Sequence, residues 1–164
     1  MANTISNDNV RERDYLNMSN SLTGIFIDTL CLAGSDIAKE EYQKDIMIWF
    51  AQRDWSLLGL GIIGFDITEI IWDKSLFQHQ KKFILKVIER ALEKANWNQL
   101  SYEPREDWIM SSLKTFKRMI EEFNLEHIEK EEIFEIIPFG NKYQKCEKHQ
   151  IYLHIEGCVI CNNE

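Results

Sequence analysis

Apolar residues recur at helical spacing along much of the chain, and the first such stretch runs from Asn20 to Ala33. Its apolar positions fall on one face of a helix: Leu22, Ile25, Phe26, Thr29, Leu30 and Ala33. Gly34 follows where a helix commonly ends in a left-handed residue, and Ser35 or Asp36 can cap a second helix. We therefore predict two helices joined by a tight turn.

The second stretch, from Ile37 to Arg53, is apolar on every side at its centre. Residues 46–50 read Ile-Met-Ile-Trp-Phe, and such a run fits either a fully buried helix or a strand. The preceding residues, Ala38 to Lys44, are rich in helix formers. The sequence therefore favours a helix here without excluding a strand.

The clearest helix begins near Ser75, which forms a possible capping box with Gln78. One face of this helix is apolar: Leu76, Phe77, Phe83, Ile84, Val87, Ile88, Ala91, Leu92 and Ala95. The opposite face is charged: Lys81, Lys82, Glu89, Arg90, Glu93 and Lys94. One apolar face and one charged face are typical of a surface helix that packs on a core.

A further helix is predicted after Pro104, which can occupy the first turn, with Glu106 and Asp107 near the positive helix end. Its apolar positions repeat at spacings of four and three: Ile109, Leu113, Phe116, Ile120 and Phe123. A short acidic helix is expected from about Lys130 to Ile137, before Pro138.

Glycines interrupt the segment from Asp54 to Gly64, which we interpret as a loop lying on the core. Residues 59–64 match the pattern G-x-G-x-x-G. A dinucleotide fold also requires a preceding strand and an acidic residue about 20 positions later, at the end of a second strand. Neither is predicted here, so an enzyme with a site near this loop is kept only as an alternative function.

Five polar residues near this loop could in principle line a pocket: Asp54, Asp66, Glu69, Asp73 and His79. Their spacing does not require them to meet, and Asp66 with Glu69 also fits a short capped turn. We predict that they are loop and surface groups, and that the protein is not an enzyme.

The tail, residues 141–164, carries the strongest chemical pattern in the chain. Cys146, His149, Cys158 and Cys161 follow the spacing C-x2-H-x8-C-x2-C. Two intervening residues let one tight turn direct both ligands at one ion, and two such turns complete a tetrahedron. We predict a structural zinc site, because four protein ligands leave no open position for catalysis. His154 is an alternative ligand with poorer spacing.

The same tail resembles a miniature zinc ribbon or knuckle over about residues 143–163. Residues 151–155 alternate enough to predict a short strand, and Gly157 supplies backbone freedom for the second turn. We expect the metal to contribute much of the folding energy of so small a segment. The whole chain is then mainly α: a flexible polar leader (1–18), a compact bundle of four to five helices (19–140) and a small zinc-held β-turn or hairpin tail.

Charge and composition narrow the class of protein. The 164 residues include 19 basic and 27 acidic side chains, for a formal net charge of −8. Such a surface repels DNA and RNA, so the charge argues against nucleic-acid binding. The N-terminus lacks an apolar signal segment, and the most apolar stretch, residues 57–72, contains three glycines and two acidic residues. We therefore expect a cytoplasmic protein with no membrane span, in which Cys31 is a core residue.

Acidic and aromatic residues suggest a binding surface. The acidic run holds Glu121, Glu122, Glu126, Glu129, Glu131, Glu132 and Glu135 against Lys130. Such a run is most often a solvated helix face, but it can also steer a basic partner to the protein. Trp55 and Trp72 flank the glycine loop and are the candidate aromatic anchors.

In general character the chain resembles the small acidic immunity proteins with which bacteria neutralise toxins. The resemblance implies a non-catalytic protein that binds a basic partner such as a toxin domain. A regulatory or nucleic-acid-associated module that acts through the zinc tail is the alternative. It is disfavoured because Lys142, Lys145 and Lys148 are balanced by three glutamates in the tail.

Overall fold

A computed structural model of the chain describes residues 2–7, 15–127 and 142–164. The strands are β1 (Ala2–Ser6), β2 (Leu16–Ser19), β3 (Asp54–Trp55), β4 (Gly61–Ile62) and β5 (Phe65–Asp66). The helices are α1 (Asn20–Ser35), α2 (Glu41–Ala51), α3 (Phe77–Leu92), α4 (Glu106–Glu122) and α5 (Val159–Asn162). Within the described residues, four long helices and one short helix dominate over two small sheets, which confirms the predicted mainly α fold.

Helix α1 is the centre of the bundle and packs against α2, α3 and α4. From Phe26 to Ser35 every residue of α1 is buried, so this helix is surrounded by protein on all sides. Residues 46–50 are also buried and lie within α2, which decides the ambiguous apolar run in favour of a helix. Edge-to-face aromatic contacts join the layers, for example Phe26 with Phe116 at 5.2 Å between ring centroids.

Gly34 does not end the first helix as predicted, because α1 continues to Ser35. The glycine allows close packing: a side-chain carbon at this position would overlap the sulfur and methyl group of Met47 in α2, so the flexible end of that side chain would have to move. The predicted cap of the second helix is also wrong. Glu40 and Gln43 form the capping box of α2, whereas Asp36 pairs with Arg90 of α3.

The two amphipathic helices lie where their apolar spacing predicts them. The five apolar positions predicted for α4 are all buried: Ile109, Leu113, Phe116, Ile120 and Phe123. Their starts differ from prediction, and α3 ends at Leu92, before the predicted Ala95. Ser75 hydrogen-bonds to Asp73 instead of capping α3, and α4 begins at Glu106, two residues after Pro104.

The predicted flexible leader, residues 1–18, is corrected by the structure at both of its described ends. Strand β1 pairs antiparallel with β2 and parallel with β5, giving a three-stranded sheet of order β2-β1-β5. Ile5, Leu16 and Met18 are buried in this sheet. Their burial was missed because each apolar residue stands alone among polar ones, and its partner strand lies up to 60 residues away.

The glycine-rich segment, predicted as a loop lying on the core, contains a short hairpin, and its Ile62 is buried in the core. Strands β3 and β4 pair antiparallel. Gly59 lies between the strands with a φ of 76°, and Gly61 lies in β4 with a φ of 67°. Leu57 and Leu58 at the tip are 72% and 67% exposed. The capped turn predicted just after the hairpin is present, because the side chains of Asp66 and Glu69 form a capping box.

Two further predictions concern elements beyond this bundle. The acidic helix predicted at 130–137 lies outside the described residues. No helix in the described parts of the chain is long and apolar enough to cross a membrane.

One acidic side chain lies inside the bundle. Asp28 of α1 is 4% exposed; its Oδ2 accepts a hydrogen bond of 2.8 Å from the Tyr102 hydroxyl, whereas its Oδ1 has no hydrogen-bond partner. Burial raises the pKa of this carboxyl to about 7, although the Tyr102 bond opposes the shift. A folded-state pKa above the unfolded value stabilises the protein below about pH 4 and costs stability as the pH rises to about 7.

We predict that Asp28→Asn stabilises the protein more at pH 8 than at pH 5. The amide retains an acceptor for Tyr102 and never has to ionise inside the core. The gain in unfolding free energy over the original protein should grow by about 2 kcal/mol between these pH values. Urea denaturation of both proteins measures it, with the exposed Glu103→Gln as control. An equal difference at both pH values would show that Asp28 does not titrate as described.

Candidate metal centre

Four ligand side chains meet in the tail. One ligand atom from each of Cys146, His149, Cys158 and Cys161 lies within 4.8 Å of all the others. The Cys146 and Cys161 sulfurs are 3.7 Å apart, and His149 Nδ1 lies 3.7, 3.5 and 3.3 Å from the sulfurs of Cys146, Cys158 and Cys161. The four residues that the spacing predicts are therefore together, and the group can hold a metal ion.

Four of the six separations among the ligand atoms match edges of a tetrahedron around a small cation. With a metal–sulfur distance of about 2.3 Å and a metal–nitrogen distance of about 2.05 Å, tetrahedral geometry gives about 3.8 Å between sulfurs and about 3.5 Å between sulfur and nitrogen. The four measured separations lie within about 0.2 Å of these values. The donor set and these four separations thus fit a four-coordinate metal site.

Local backbone structure explains how two short turns converge. In the first turn, the Gln150 amide donates to the Cys146 carbonyl at 2.8 Å, and the Cys146 amide donates to the Ile151 carbonyl at 2.8 Å. In the second turn, His154 bridges to Gly157, whose φ of 105° is the left-handed conformation that the sequence predicted for it. Helix α5 then begins directly after Cys158 and carries Cys161.

The predicted strand at residues 151–155 is reduced to two isolated bridges. One joins Lys145 to Tyr152 and the other joins His154 to Gly157. The ligands lie at both ends of this segment, so the turns at its ends leave too few residues for a longer ladder. The β-turn character of the tail is nevertheless retained.

The imidazole of His149 is held by a carboxylate. Its Nε2 lies 3.1 Å from Glu164 Oε1, and Lys148 pairs with the same carboxyl group. A carboxylate only accepts, so Nε2 is the nitrogen that donates to Glu164, and Nδ1 is the nitrogen that faces the three sulfurs. Partners of this kind orient metal-binding histidines in known sites, and Glu164 was not identified from the sequence.

The thiols differ in how easily they lose a proton. Burial raises the pKa of Cys146, but hydrogen bonds from the backbone and side chain of His149 outweigh it and lower the pKa to about 7. Burial raises the pKa of Cys158 and of Cys161. Cation binding would thus have to displace protons chiefly from the latter two residues.

Asp54 joins the tail to the helical body. Its Oδ2 lies 3.0 Å from His154 Nε2 and accepts a hydrogen bond of 2.9 Å from Asn162. Asp54 and His154 are only 2% and 3% exposed, so the prediction of Asp54 as a surface group is wrong. Burial raises the pKa of Asp54, but hydrogen bonds from His154, Ser56 and Asn162 outweigh it and hold the pKa well below its usual range.

Apolar packing strengthens this attachment. Ile151, Val159 and Ile160 are at most 1% exposed and belong to the same core as the helices. The Tyr152 amide donates to the Ser35 hydroxyl at the end of α1 at 3.3 Å, and the Tyr143 hydroxyl donates to Asp45 of α2 at 2.9 Å. His154 is thus a docking residue and not the alternative metal ligand.

The predicted partner-binding glutamates lie apart from this centre. Glu121 and Glu122, in the last turn of α4, have side chains 51% and 54% exposed, and Glu126 is also exposed. Glu129, Glu131 and Glu132 lie outside the described residues.

The two predicted tryptophan anchors differ in exposure. Trp55 is 40% exposed at the base of the hairpin. Trp72 is partly buried: its ring stacks on Phe123 with 5.2 Å between centroids, and its Nε1 donates to the Ile67 carbonyl. Trp108, which the sequence did not single out, is the more exposed at 51%, with the Arg105 guanidinium over its ring.

Comparison with known proteins gives no match: no family model, curated protein or solved structure corresponds to this chain. The fold and site define a mainly α-helical protein with a C-terminal cluster of three cysteines and one histidine. Its chemistry therefore has to be judged from the geometry of the cluster itself.

We predict that Asp54→Asn releases the tail from the body. The new side chain has one acceptor oxygen instead of two, so it cannot accept from His154 and Asn162 on one side and from the Ser56 amide on the other. Loss of a buried hydrogen bond to a charged group typically costs about 2 kcal/mol. Hydrogen exchange should accelerate at the amides of Tyr152 and Asn162, which donate to Ser35 and Cys158, whereas the exposed Asp107→Asn should leave that exchange unchanged. Unaltered exchange in Asp54→Asn would contradict the docking role.

Proposed function

We propose that Cys146, His149, Cys158 and Cys161 bind a structural zinc ion. The observation that carries this proposal is the convergence of three sulfurs and one imidazole nitrogen within 4.8 Å of one another, with four of their separations near those of a tetrahedral site. Thiolate ligands favour zinc over magnesium or calcium, which prefer oxygen. Four protein ligands close the coordination shell, so the ion would serve to hold the fold together and not to activate a substrate.

The ion would hold the end of the chain in a defined place. Asn162, Asn163 and Glu164 follow the last ligand and reach Asp54, Ser56 and His149. Cross-linking both turns limits the freedom of these residues before they dock, which lowers the entropy cost of their contacts. The zinc site thus supports a rigid surface rather than a reactive centre.

We further propose that the protein is a non-catalytic binding protein for a basic protein, of the kind in which an immunity protein neutralises a toxin domain. The net charge of −8 favours approach of a cationic partner over long distances. The proposed contact is the acidic end of α4, formed by Glu121, Glu122 and Glu126. Trp72 lies beside this end because its ring stacks on Phe123, the residue that follows α4.

The position of these glutamates supports a cationic partner. Glu121 and Glu122 lie in the last turn of α4, where the helix dipole is negative and no basic residue is present. Lys81 of α3 donates to the Glu121 and Phe123 carbonyls and offsets part of this charge. The two carboxylates also pair with Lys117 and Arg118 one turn earlier, but such exposed pairs are weak. A basic partner would therefore meet negative potential there that these cations compensate only in part.

The protein encoded by the adjacent gene is the partner to test. We expect it to bind, and expect Glu121→Gln, Glu122→Gln and Glu126→Gln in combination to slow association about tenfold at low salt. Three exposed glutamates elsewhere, Glu93, Glu103 and Glu147, provide a charge-matched control that should change the rate less than about twofold.

Elemental analysis of these preparations should find one zinc ion per chain in the original protein and in both variants. Absence of a complex, together with no protection of cells from the neighbouring protein, would overturn the binding proposal. Equal slowing by the control would assign the effect to total charge and not to the end of α4.

A further inference from the structure

Exposed apolar side chains concentrate where the hairpin meets the tail. Seven large hydrophobic residues are exposed among those that the structure describes, and five lie in these two segments. Four belong to the hairpin, Trp55, Leu57, Leu58 and Leu60, with exposed fractions of 40%, 72%, 67% and 49%. The fifth is Ile155 of the tail, at 58%. We call these five residues the apolar surface.

Shared hydrogen bonds tie the start of the hairpin to the turn that carries Ile155. The Asn162 side-chain amide donates to Asp54 Oδ2 at 2.9 Å and to the Glu156 carbonyl at 3.1 Å. Asp54 directly precedes Trp55, and Glu156 directly follows Ile155. The Ser56 hydroxyl also donates to the Asn163 side chain at 3.0 Å. One side chain thus links the base of the hairpin to the turn that carries Ile155.

The hairpin holds its leucines away from the core. Asp54 and Trp55 pair with Ile62 and Gly61, and the chain reverses through Gly59 in the left-handed conformation. Asp54, at the start of the hairpin, is anchored in the buried contact with His154. Movement of Leu57 and Leu58 onto the body would break the pairing of β3 with β4. The backbone of the hairpin therefore keeps these two side chains exposed.

A second copy of the chain fits this surface better than a charged partner. From Trp55 to Ile63 the sequence contains no charged residue, although the protein carries a net charge of −8. Here two copies can approach with the least direct repulsion. The five residues expose about 570 Å² in total, if a fully exposed large side chain offers about 200 Å². A symmetric pair that buried all of it would remove about 1,100 Å² from solvent, which exceeds the roughly 1,000 Å² that a specific interface needs.

We propose that the apolar surface is a homodimer interface, in which Trp55, Leu57, Leu58, Leu60 and Ile155 of one copy pack on the same residues of a second copy. A two-fold axis through the apolar surface brings the same residues of the two copies into contact, so the surface is complementary to itself. The part played by Ile155 rests on the zinc-held tail proposed above. The acidic end of α4 is not used in this contact and stays available to another protein.

Light scattering of the full-length, zinc-containing protein between about 1 and 200 µM tests the proposal. We expect the mass to rise from 19.5 kDa to twice that value. Leu57→Asp and Ile155→Asp should each weaken the dimer at least tenfold, because each places two carboxylates in the apolar contact. Leu125→Asp, at a 38% exposed leucine outside the surface, is the matched control and should change the affinity less than threefold.

Salt dependence separates this dimer from an electrostatic one. Screening of the repulsion between two negative chains should strengthen it between about 0.05 and 0.5 M salt. A monomer at 200 µM, a dimer weakened by salt, or equal effects of the three substitutions would overturn the proposal. A dimer that Ile155→Asp does not weaken would also overturn the proposal that the hairpin and the tail form one interface.

Far-UV circular dichroism and zinc content establish that each variant is folded, and Leu58→Asp replaces any variant that is not. A monomer that contains one zinc ion would refute the dimer alone. A chain without zinc would refute the metal proposal whatever its mass.

Discussion

The convergence of three thiols and one imidazole is the constraint on which the architecture of the tail depends. Residues 142–164 contain one helix of four residues and two isolated bridges, which is too little regular structure to be stable alone. A shared cation would tie both turns together and leave their apolar residues on one side. Ile151, Val159 and Ile160 can then complete the core of the helical bundle.

Docking of the tail also satisfies a charge that the body buries. Asp54 begins the hairpin, yet the partners of its carboxylate, His154, Asn162 and Asn163, lie 100 to 109 residues later. A buried carboxylate without such donors is costly, so the body favours a folded tail just as the tail relies on the body. This mutual dependence positions both the hairpin leucines and the end of the chain. The proposed surfaces for a basic partner and for a second copy lie on different parts of this one scaffold.

Local patterns in the sequence predicted the features that depend on local physics. The spacing of Phe83 to Ala91 is that of a helix whatever its neighbours are, and two x2 ligand pairs require only two turns. Features that depend on distant partners were missed. Strand β1 forms because it pairs with Phe65 of β5. The role of Gly34 depends on the approach of Met47, and the burial of Asp54 depends on a histidine 100 residues away. An isolated aspartate in a loop carries no local signal that it is buried. The only hint of the pair is that Asp54 precedes Trp55 and that His154 lies in an apolar part of the tail.

X-ray absorption spectroscopy at the zinc edge, on protein purified without chelator, tests the central claim most directly. Coordination by Cys146, His149, Cys158 and Cys161 predicts a shell of three sulfur atoms at about 2.3 Å and one nitrogen at about 2.0 Å. A spectrum with only oxygen and nitrogen neighbours, or with fewer than three sulfurs, would contradict the four-residue site and the tail architecture built on it.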